Sequence, residues 1–181
     1  INSVCRSCYI HIRNIGKFRP YLSQSATEKM VHAFVSSRLD DHNSLLYGLP
    51  KQLTNKLQRI QNHAARIVTR IGKYDHVQPT LKALHWLPST SRIDFKILLL
   101  TFKCIHGTAP AYLSQLIHLY KPTRSLRSAD QLLLIKGKPR TKTYGERAFK
   151  NCAPDLWNSL PRDIRAITTL ECFKSALKTH L

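Results

Sequence analysis

Apolar residues recur along most of this chain at spacings of three and four positions, the period of a helix that buries one side. Glycine is scarce, with six residues, and Ser or Pro stands at most of the points where this pattern begins. The predicted helices cover about residues 4–16, 26–39, 50–72, 79–84, 89–106 and 111–119, with a short last helix over 170–181. The fold is therefore predicted to be mainly α, a multi-helix bundle.

The pattern changes after residue 120, where the chain becomes polar, basic and irregular. Beyond it, apolar residues 132–135 and the run 141–144 flank Gly137-Lys138-Pro139, which favours a small β-hairpin near residues 132–144. Helical spacing returns at 145–149. We therefore expect a helical region over 1–119, a basic linker or hairpin over 120–144, and a small helical region over 145–181.

Charge narrows the class of partner. The chain has 29 Lys and Arg against 10 Asp and Glu, a formal charge of +19 and a pI near 10.2. Such a field attracts polyanions, above all nucleic acids.

The longest apolar run, 97–102, is far shorter than a membrane span, so no membrane partner is expected. Five scattered cysteines favour a reducing, intracellular setting, and the start at Ile1 suggests an excised segment.

Part of the charge follows one predicted helix. Over 50–72 the apolar positions are Leu53, Leu57, Ile60, Ala64, Ile67 and Ile71. A second row at helical spacing is basic: Lys56, Arg59, His63, Arg66, Arg70 and Lys73. No acid lies in 51–73, so these like charges repel without compensation along the helix. The row predicts contact with the phosphates of a nucleic acid, and the alternative is a plain solvated face.

A second concentration lies in 121–150, with nine basic and two acidic residues. Its Gly and Pro content predicts a flexible arm or hairpin that also binds nucleic acid. Tyr120 and Tyr144 are the nearby rings that could stack on bases, with core packing as the alternative. The predicted binding residues are Arg124, Arg127, Lys136, Lys138, Arg140 and Lys142.

Two sequence features resemble catalytic or metal sites and are interpreted otherwise. Asp40-Asp41 follows a helical pattern and lacks a third acid nearby, unlike the carboxylates that hold metal ions in polymerases. Cys5, Cys8 and His11 lack a fourth zinc ligand at the usual distance and fit one helix face. We therefore expect no catalytic residue, metal or cofactor in this segment, and no small-molecule substrate.

Several short sequence motifs, taken in their order along the chain, resemble those of a known family. They are Ser37-Arg38-Leu39-Asp40, 43–50, 56–62, 73–76, Leu84-His85-Trp86-Leu87-Pro88, 92–96, 102–103, 106–107, 144–149 and Leu156-Trp157-Asn158-Ser159-Leu160-Pro161. In this order they resemble the C-terminal region of reverse transcriptases from non-LTR retrotransposons (LINE elements) of the jockey-like and chicken-repeat kind. The likeness covers nearly the whole chain.

The resemblance implies a parent RNA-directed DNA polymerase that uses Mg²⁺ and copies element RNA at a nicked chromosomal site. It places this segment after the palm, in the thumb or just beyond it, with the catalytic aspartates upstream. Family members usually read Asp-Tyr-Cys-Asn where this chain has Asp40-Asp41-His42-Asn43, and a small residue is common at His63. The implied setting is a nuclear or cytoplasmic ribonucleoprotein, and the implied partners are RNA or DNA and the upstream polymerase domain.

From the residues and the resemblance together, the segment is predicted to hold template RNA or primer duplex by phosphate contacts and to be no enzyme alone. One alternative is a structural or protein-interaction role, in which the charge only maintains solubility. Another is a non-functional remnant of a decayed element.

Overall fold

The computed structural model describes residues 1–122, 131–141 and 143–181. The chain divides into two compact units, Ile1–Ile93 and Asp94–Leu181. This division falls within a helix, whereas the sequence pattern places a boundary near residue 120. The pattern marks where helical spacing stops, but residues 132–135 hydrogen-bond both to residues 118–120 and to residues 157–158.

The first unit is built from helices joined by short turns. They are α1 (Asn2–Phe18), α2 (Gln24–Val31), α3 (Ser37–Asp40), α4 (Lys51–Thr69), α5 (Gln78–Ala83) and the first turn of α6 (Ser89–Ile105). A π-helical turn, His32–Ser36, joins α2 to α3. Ser23 caps α2 with a hydroxyl that accepts a hydrogen bond from the Ala26 amide at 3.1 Å, as its position before the helix indicates.

The described residues of the second unit form the rest of α6 and four further helices. They are α7 (Ala111–Ser114), α8 (Phe149–Ser159), α9 (Arg162–Arg165) and α10 (Leu170–His180). The mainly α fold is thus confirmed for the described residues. Two helices are shorter than predicted, because α4 ends at Thr69 instead of residue 72 and α7 ends at Ser114 instead of residue 119.

The buried face of α4 includes polar residues that the apolar pattern misses. Leu57, Ile60 and Ala64 are buried as predicted, whereas Leu53, Ile67 and Ile71 are only half-buried. Gln61 is 1% exposed and donates from Nε2 to the Leu87 carbonyl at 2.7 Å. Its Oε1 accepts from the Ser89 hydroxyl at 3.1 Å, and the Ser89 amide donates to Gln58 Oε1 at 2.8 Å. Hydrogen bonds therefore attach the Trp86-Leu87-Pro88 corner to α4.

Asp40 also has a structural partner. Its Oδ2 accepts from Arg92 Nη2 at 2.6 Å, and its Oδ1 accepts from Asn43 Nδ2 at 3.3 Å. These contacts link the end of α3 to the turn that follows it and to the first turn of α6. Asp41 is exposed and contacts His42, so the two aspartates occupy different environments.

The predicted hairpin near residues 132–144 is wrong for the described residues. Residues 133–135 pair with the segment after α7, where Leu119 and Leu134 form an isolated antiparallel bridge. Trp157 Nε1 donates to the Leu132 carbonyl at 2.9 Å, and Asn158 exchanges two hydrogen bonds with the Leu134 backbone. Because α8 satisfies these backbone groups, residues 132–135 have no need of a second strand at 141–144.

Three aromatic rings meet in the core of the second unit. Phe102 of α6 stacks on Phe173 of α10 with ring centroids 4.4 Å apart, and Trp157 of α8 lies 5.7 Å from the same ring. Phe173 and Trp157 are almost fully buried.

No described helix is both long and apolar enough to cross a bilayer.

Replacing the buried glutamine tests its role at the corner. Gln61→Leu leaves the Leu87 carbonyl without its donor, and we expect a loss of about 1–3 kcal/mol in the free energy of unfolding. Urea unfolding followed by circular dichroism measures it. Gln52→Leu, at an exposed position of the same helix, should change stability by no more than about 0.5 kcal/mol. Equal effects of the two substitutions would contradict this assignment.

Cysteine reactivity should follow burial. Burial raises the pKa of the Cys152 thiol to about 11, and Cys5, Cys8 and Cys104 are buried as well. Because the thiolate is the reactive form, native protein at about pH 8 should be alkylated first at exposed Cys172. Mass spectrometry after a brief iodoacetamide treatment identifies the site. Early modification of Cys152 would show that the core of the second unit opens readily.

Candidate nucleic-acid interface

In the first unit, α1 and α4 run parallel, side by side. Lys56 Nζ donates to Asn2 Oδ1 at 3.0 Å, near the start of both helices. Further along, the Tyr9 and His63 rings meet edge to face with centroids 5.7 Å apart. At the far end, Arg19 follows α1 and bonds to the last turn of α4. Residue numbers rise together along this seam, which establishes the parallel direction.

Basic residues of both helices flank the seam. On α1, Arg6 and Arg13 follow the contact residues Asn2 and Tyr9 by four positions, so they lie about 40° further round the helix. Lys17 continues the row after another four positions. On α4, Arg59 lies four positions before His63, so it is displaced from His63 by about 40° around the helix axis. Arg6, Arg13, Lys17 and Arg59 are all exposed.

We call this surface the two-helix basic face and define it by Arg6, Arg13, Lys17, Lys56, Arg59 and His63. The α1 residues are absent from the sequence-based prediction, which followed charge along one helix only. A signal was available, because residues 1–27 contain no acid, as residues 51–74 also do not. The two segments that form the face are therefore both free of carboxylates.

Two cations of the predicted α4 row, Arg66 and Arg70, bond to backbone carbonyls near the end of the helix, and Arg19 at the end of α1 does the same. Arg19 donates to the carbonyls of Ile67 and Val68 at 2.7 and 2.9 Å, and to that of Leu22 at 2.7 Å. Arg70 donates back to the Arg19 carbonyl at 3.0 Å. We call these contacts the arginine brace. Desolvation and, next, the charge of Arg70 lower the pKa of Arg19.

Arg66 stabilises the turn that follows the helix. It donates from Nε to the Gly72 carbonyl at 3.3 Å and from Nη2 to the Asp75 carbonyl at 3.1 Å. The Gly72 amide in turn donates to Asp75 Oδ2 at 2.7 Å. Arg66 therefore bonds to its own chain, as Arg70 does.

The prediction of one continuous basic row is therefore corrected. Lys56, Arg59, His63 and Arg66 belong to α4, but Arg70 adopts a left-handed conformation with φ of 60° and ends the helix. Lys73 lies in the next turn, with Nζ 5.4 Å from the centroid of the Tyr74 ring. A row that followed phosphates along a straight helix would end near Arg66.

Helix dipoles account for only some of these charges. Parallel helices place two negative C-terminal ends together, and cations there are favourable. This effect explains why Lys17, Arg19 and Arg70 are favourable at their positions. The dipole effect does not extend past the last turn, so Arg6, Arg13 and Arg59 gain nothing from it. No ion pair among the described residues includes them, and an external polyanion would offset their mutual repulsion.

The second predicted cluster is described only in part. Arg124, Arg127 and Lys142 lie outside the described residues. Lys136 pairs with Asp155 at 2.8 Å in an exposed salt bridge. Lys138 and Arg140 are exposed, as are Tyr120 and Tyr144, the two rings considered for stacking.

The described part of this cluster is attached to α8. Asn151 is 5% exposed and donates from Nδ2 to the Gly145 carbonyl at 2.6 Å. The Gly145 amide donates to Thr141 Oγ1 at 2.9 Å, and a side chain at Gly137 would overlap with Asn151. Asn151 of α8 thus bonds to Gly145 and lies close to Gly137, while the flexibility of the arm stays a prediction.

Within the described ranges, no group of three or more His, Cys, Asp or Glu side chains is placed to hold a metal ion. Cys8 is fully buried, and His11 stacks on Phe34 with centroids 5.4 Å apart. Cys5 and Cys8 thus pack in the core of the first unit.

Comparisons of the chain with models of known families, with curated proteins and with solved structures found no match.

The arginine brace can be tested by local stability. Arg19→Ala removes the bonds to two C-terminal carbonyls of α4, and amide hydrogen exchange over residues 64–69 should become at least about tenfold faster. Hydrogen-exchange mass spectrometry measures this change. Arg13→Ala, an exposed cation of the same helix pair, is the control and should leave the exchange unchanged. Unchanged exchange in Arg19→Ala would disprove the brace.

Proposed function

We propose that this chain is a nucleic-acid-binding segment of a retrotransposon RNA-directed DNA polymerase. It would hold template RNA or primer duplex through phosphate contacts, while the polymerase domain of the same protein carries out the chemistry with Mg²⁺. The assignment to a polymerase rests on the sequence resemblance. The assignment of binding rests on the charge arrangement of the first unit.

The two-helix basic face is the observation that supports binding. Its exposed cations come from two parallel helices whose segments contain no acid. A folded protein does not need such one-sided charge for stability, since like charges at helical spacing repel. Phosphates of a nucleic-acid strand would lie along the seam and contact cations on both sides of it.

The arginine brace and the bonds of Arg66 favour a structural role for part of the charge. Arg19, Arg66 and Arg70 satisfy backbone carbonyls. If every cation were used in this way, the segment would only complete a larger fold or a protein contact. Arg6, Arg13 and Arg59 separate the two proposals, because the described structure shows no such bond for them.

A matched pair of charge variants tests binding. Arg13→Gln, Lys17→Gln and Arg59→Gln remove three cations from the two-helix basic face. The control, Lys96→Gln, Arg162→Gln and Lys178→Gln, removes three exposed cations from the second unit. Both triple variants have the same net charge. Affinity for an RNA hairpin is measured by fluorescence anisotropy over a range of salt concentrations.

The first variant should bind more weakly, with a slope of log affinity against log salt that is smaller by up to about three. The control should bind like the wild type. Equal losses in both variants would show that only net charge matters. A wild-type chain that binds no RNA or DNA at near-physiological salt would refute the proposed function and favour the structural role or a non-functional remnant.

A further inference from the structure

The end of the two-helix basic face carries exposed aromatic rings. Tyr74 and Tyr21 are 90% and 88% exposed, more than any other large apolar side chain that the structure describes. Tyr21 lies two residues after Arg19, and Tyr74 lies four residues after Arg70. Since the arginine brace joins Arg19 to the end of α4 and Arg70 to Arg19, both rings belong to the same end of the helix pair.

The backbone on either side of each ring is fixed by hydrogen bonds. Arg19 donates from Nη1 to the Leu22 carbonyl, which closes the turn that contains Tyr21. Arg66 and the Gly72 amide both bond to Asp75, which closes the turn that contains Tyr74. The rings are thus exposed on turns whose backbone is held by hydrogen bonds, so that little backbone conformational entropy would be lost when a ligand binds them.

Cations accompany the rings. Lys73 Nζ lies 5.4 Å from the centroid of the Tyr74 ring, and exposed Lys17 precedes the Tyr21 turn. An aromatic ring beside a cation matches one nucleotide, because the base stacks on the ring while its phosphate binds the cation. Bases in a duplex already stack on each other and offer mainly phosphates to a protein, whereas unpaired bases can stack on protein rings.

We propose that this end of the helix pair binds unpaired nucleotides, with bases stacked on Tyr21 and Tyr74 and phosphates held by Lys17 and Lys73. This inference rests on the proposed function and deepens it. The two-helix basic face would follow the backbone of a strand, and the tyrosine end would select a stretch where that strand is single. The ligand class is therefore single-stranded nucleic acid or a junction between a duplex and a single strand.

Two oligonucleotides of equal length and charge isolate the contribution of the bases. One is oligo(dT) of about 12 nucleotides, a length within the usual range of single-strand sites. The other has the same backbone with every base removed. The 181-residue wild type should bind oligo(dT) at least about tenfold more tightly than the abasic strand, as expected for stacking of one or more bases.

The tyrosine variants then locate this preference. Tyr21→Ala with Tyr74→Ala should bind both strands with the wild-type affinity for the abasic strand. Tyr21→Phe with Tyr74→Phe should keep the preference, since the rings remain. Tyr112→Ala with Tyr144→Ala, at rings of the second unit that are 68% and 80% exposed, is the control and should also keep it.

Equal wild-type affinity for the two strands would overturn the inference while leaving phosphate binding intact. The same conclusion would follow if the control pair lost the preference as fully as the Tyr21 and Tyr74 pair. Absence of binding to either strand would refute the proposed function itself, and the inference with it.

Discussion

The last four carbonyls of α4 have no partner within the helix, and the arginine brace satisfies two of them from the end of α1. Arg19 reaches Ile67 and Val68, and Arg70 bonds back to the Arg19 backbone. This exchange fixes the ends of two parallel helices to each other. The register of the seam, from Asn2 and Lys56 to Tyr9 and His63, agrees with that attachment. Together with the apolar core that α1 and α4 share, it sets the register in which the cations of the two-helix basic face lie side by side.

The cations of the first unit are of two kinds, which differ in whether they take part in this attachment. Arginines near the helix ends bind carbonyls and offset the negative ends of two helix dipoles. Cations in the middle of the helices have neither role, and no carboxylate lies in their segments. The net charge of +19 therefore overstates how many cations are available to a polyanion. On the two-helix basic face, the available cations Arg6, Arg13 and Arg59 lie in the middle of the two helices.

Local sequence signals predicted much of the fold. Ser23 before α2 and Pro50 before α4 mark helix starts that the structure shows, because capping and proline geometry act over a few residues. The end of α4 was not predicted, since Ile71 continues the apolar spacing past the point where Arg70 turns left-handed. The hairpin was wrong because Trp157 and Asn158, distant in sequence, bind the backbone of residues 132–135.

The candidate site was predictable only in part for a related reason. Charge along one helix can be seen in the sequence, and Lys56, Arg59 and His63 were identified from it. The contribution of α1 depends on parallel packing, which spacing within α1 does not reveal. Conversely, Arg66 and Arg70 have the right spacing for a phosphate row but bond to carbonyls of the turns beside them. Spacing identifies a face, whereas hydrogen bonds decide which of its side chains remain available.

Nuclear magnetic resonance of the arginine side chains tests the central claim most directly, because each Nε–H signal reports on one guanidinium. On titration with a single-stranded oligonucleotide, the signals of Arg6, Arg13 and Arg59 should shift together and saturate, while that of exposed Arg162 in the second unit should stay in place. A saturating shift of Arg162 with unchanged signals from Arg6, Arg13 and Arg59 would contradict the assignment of the interface to the two-helix basic face.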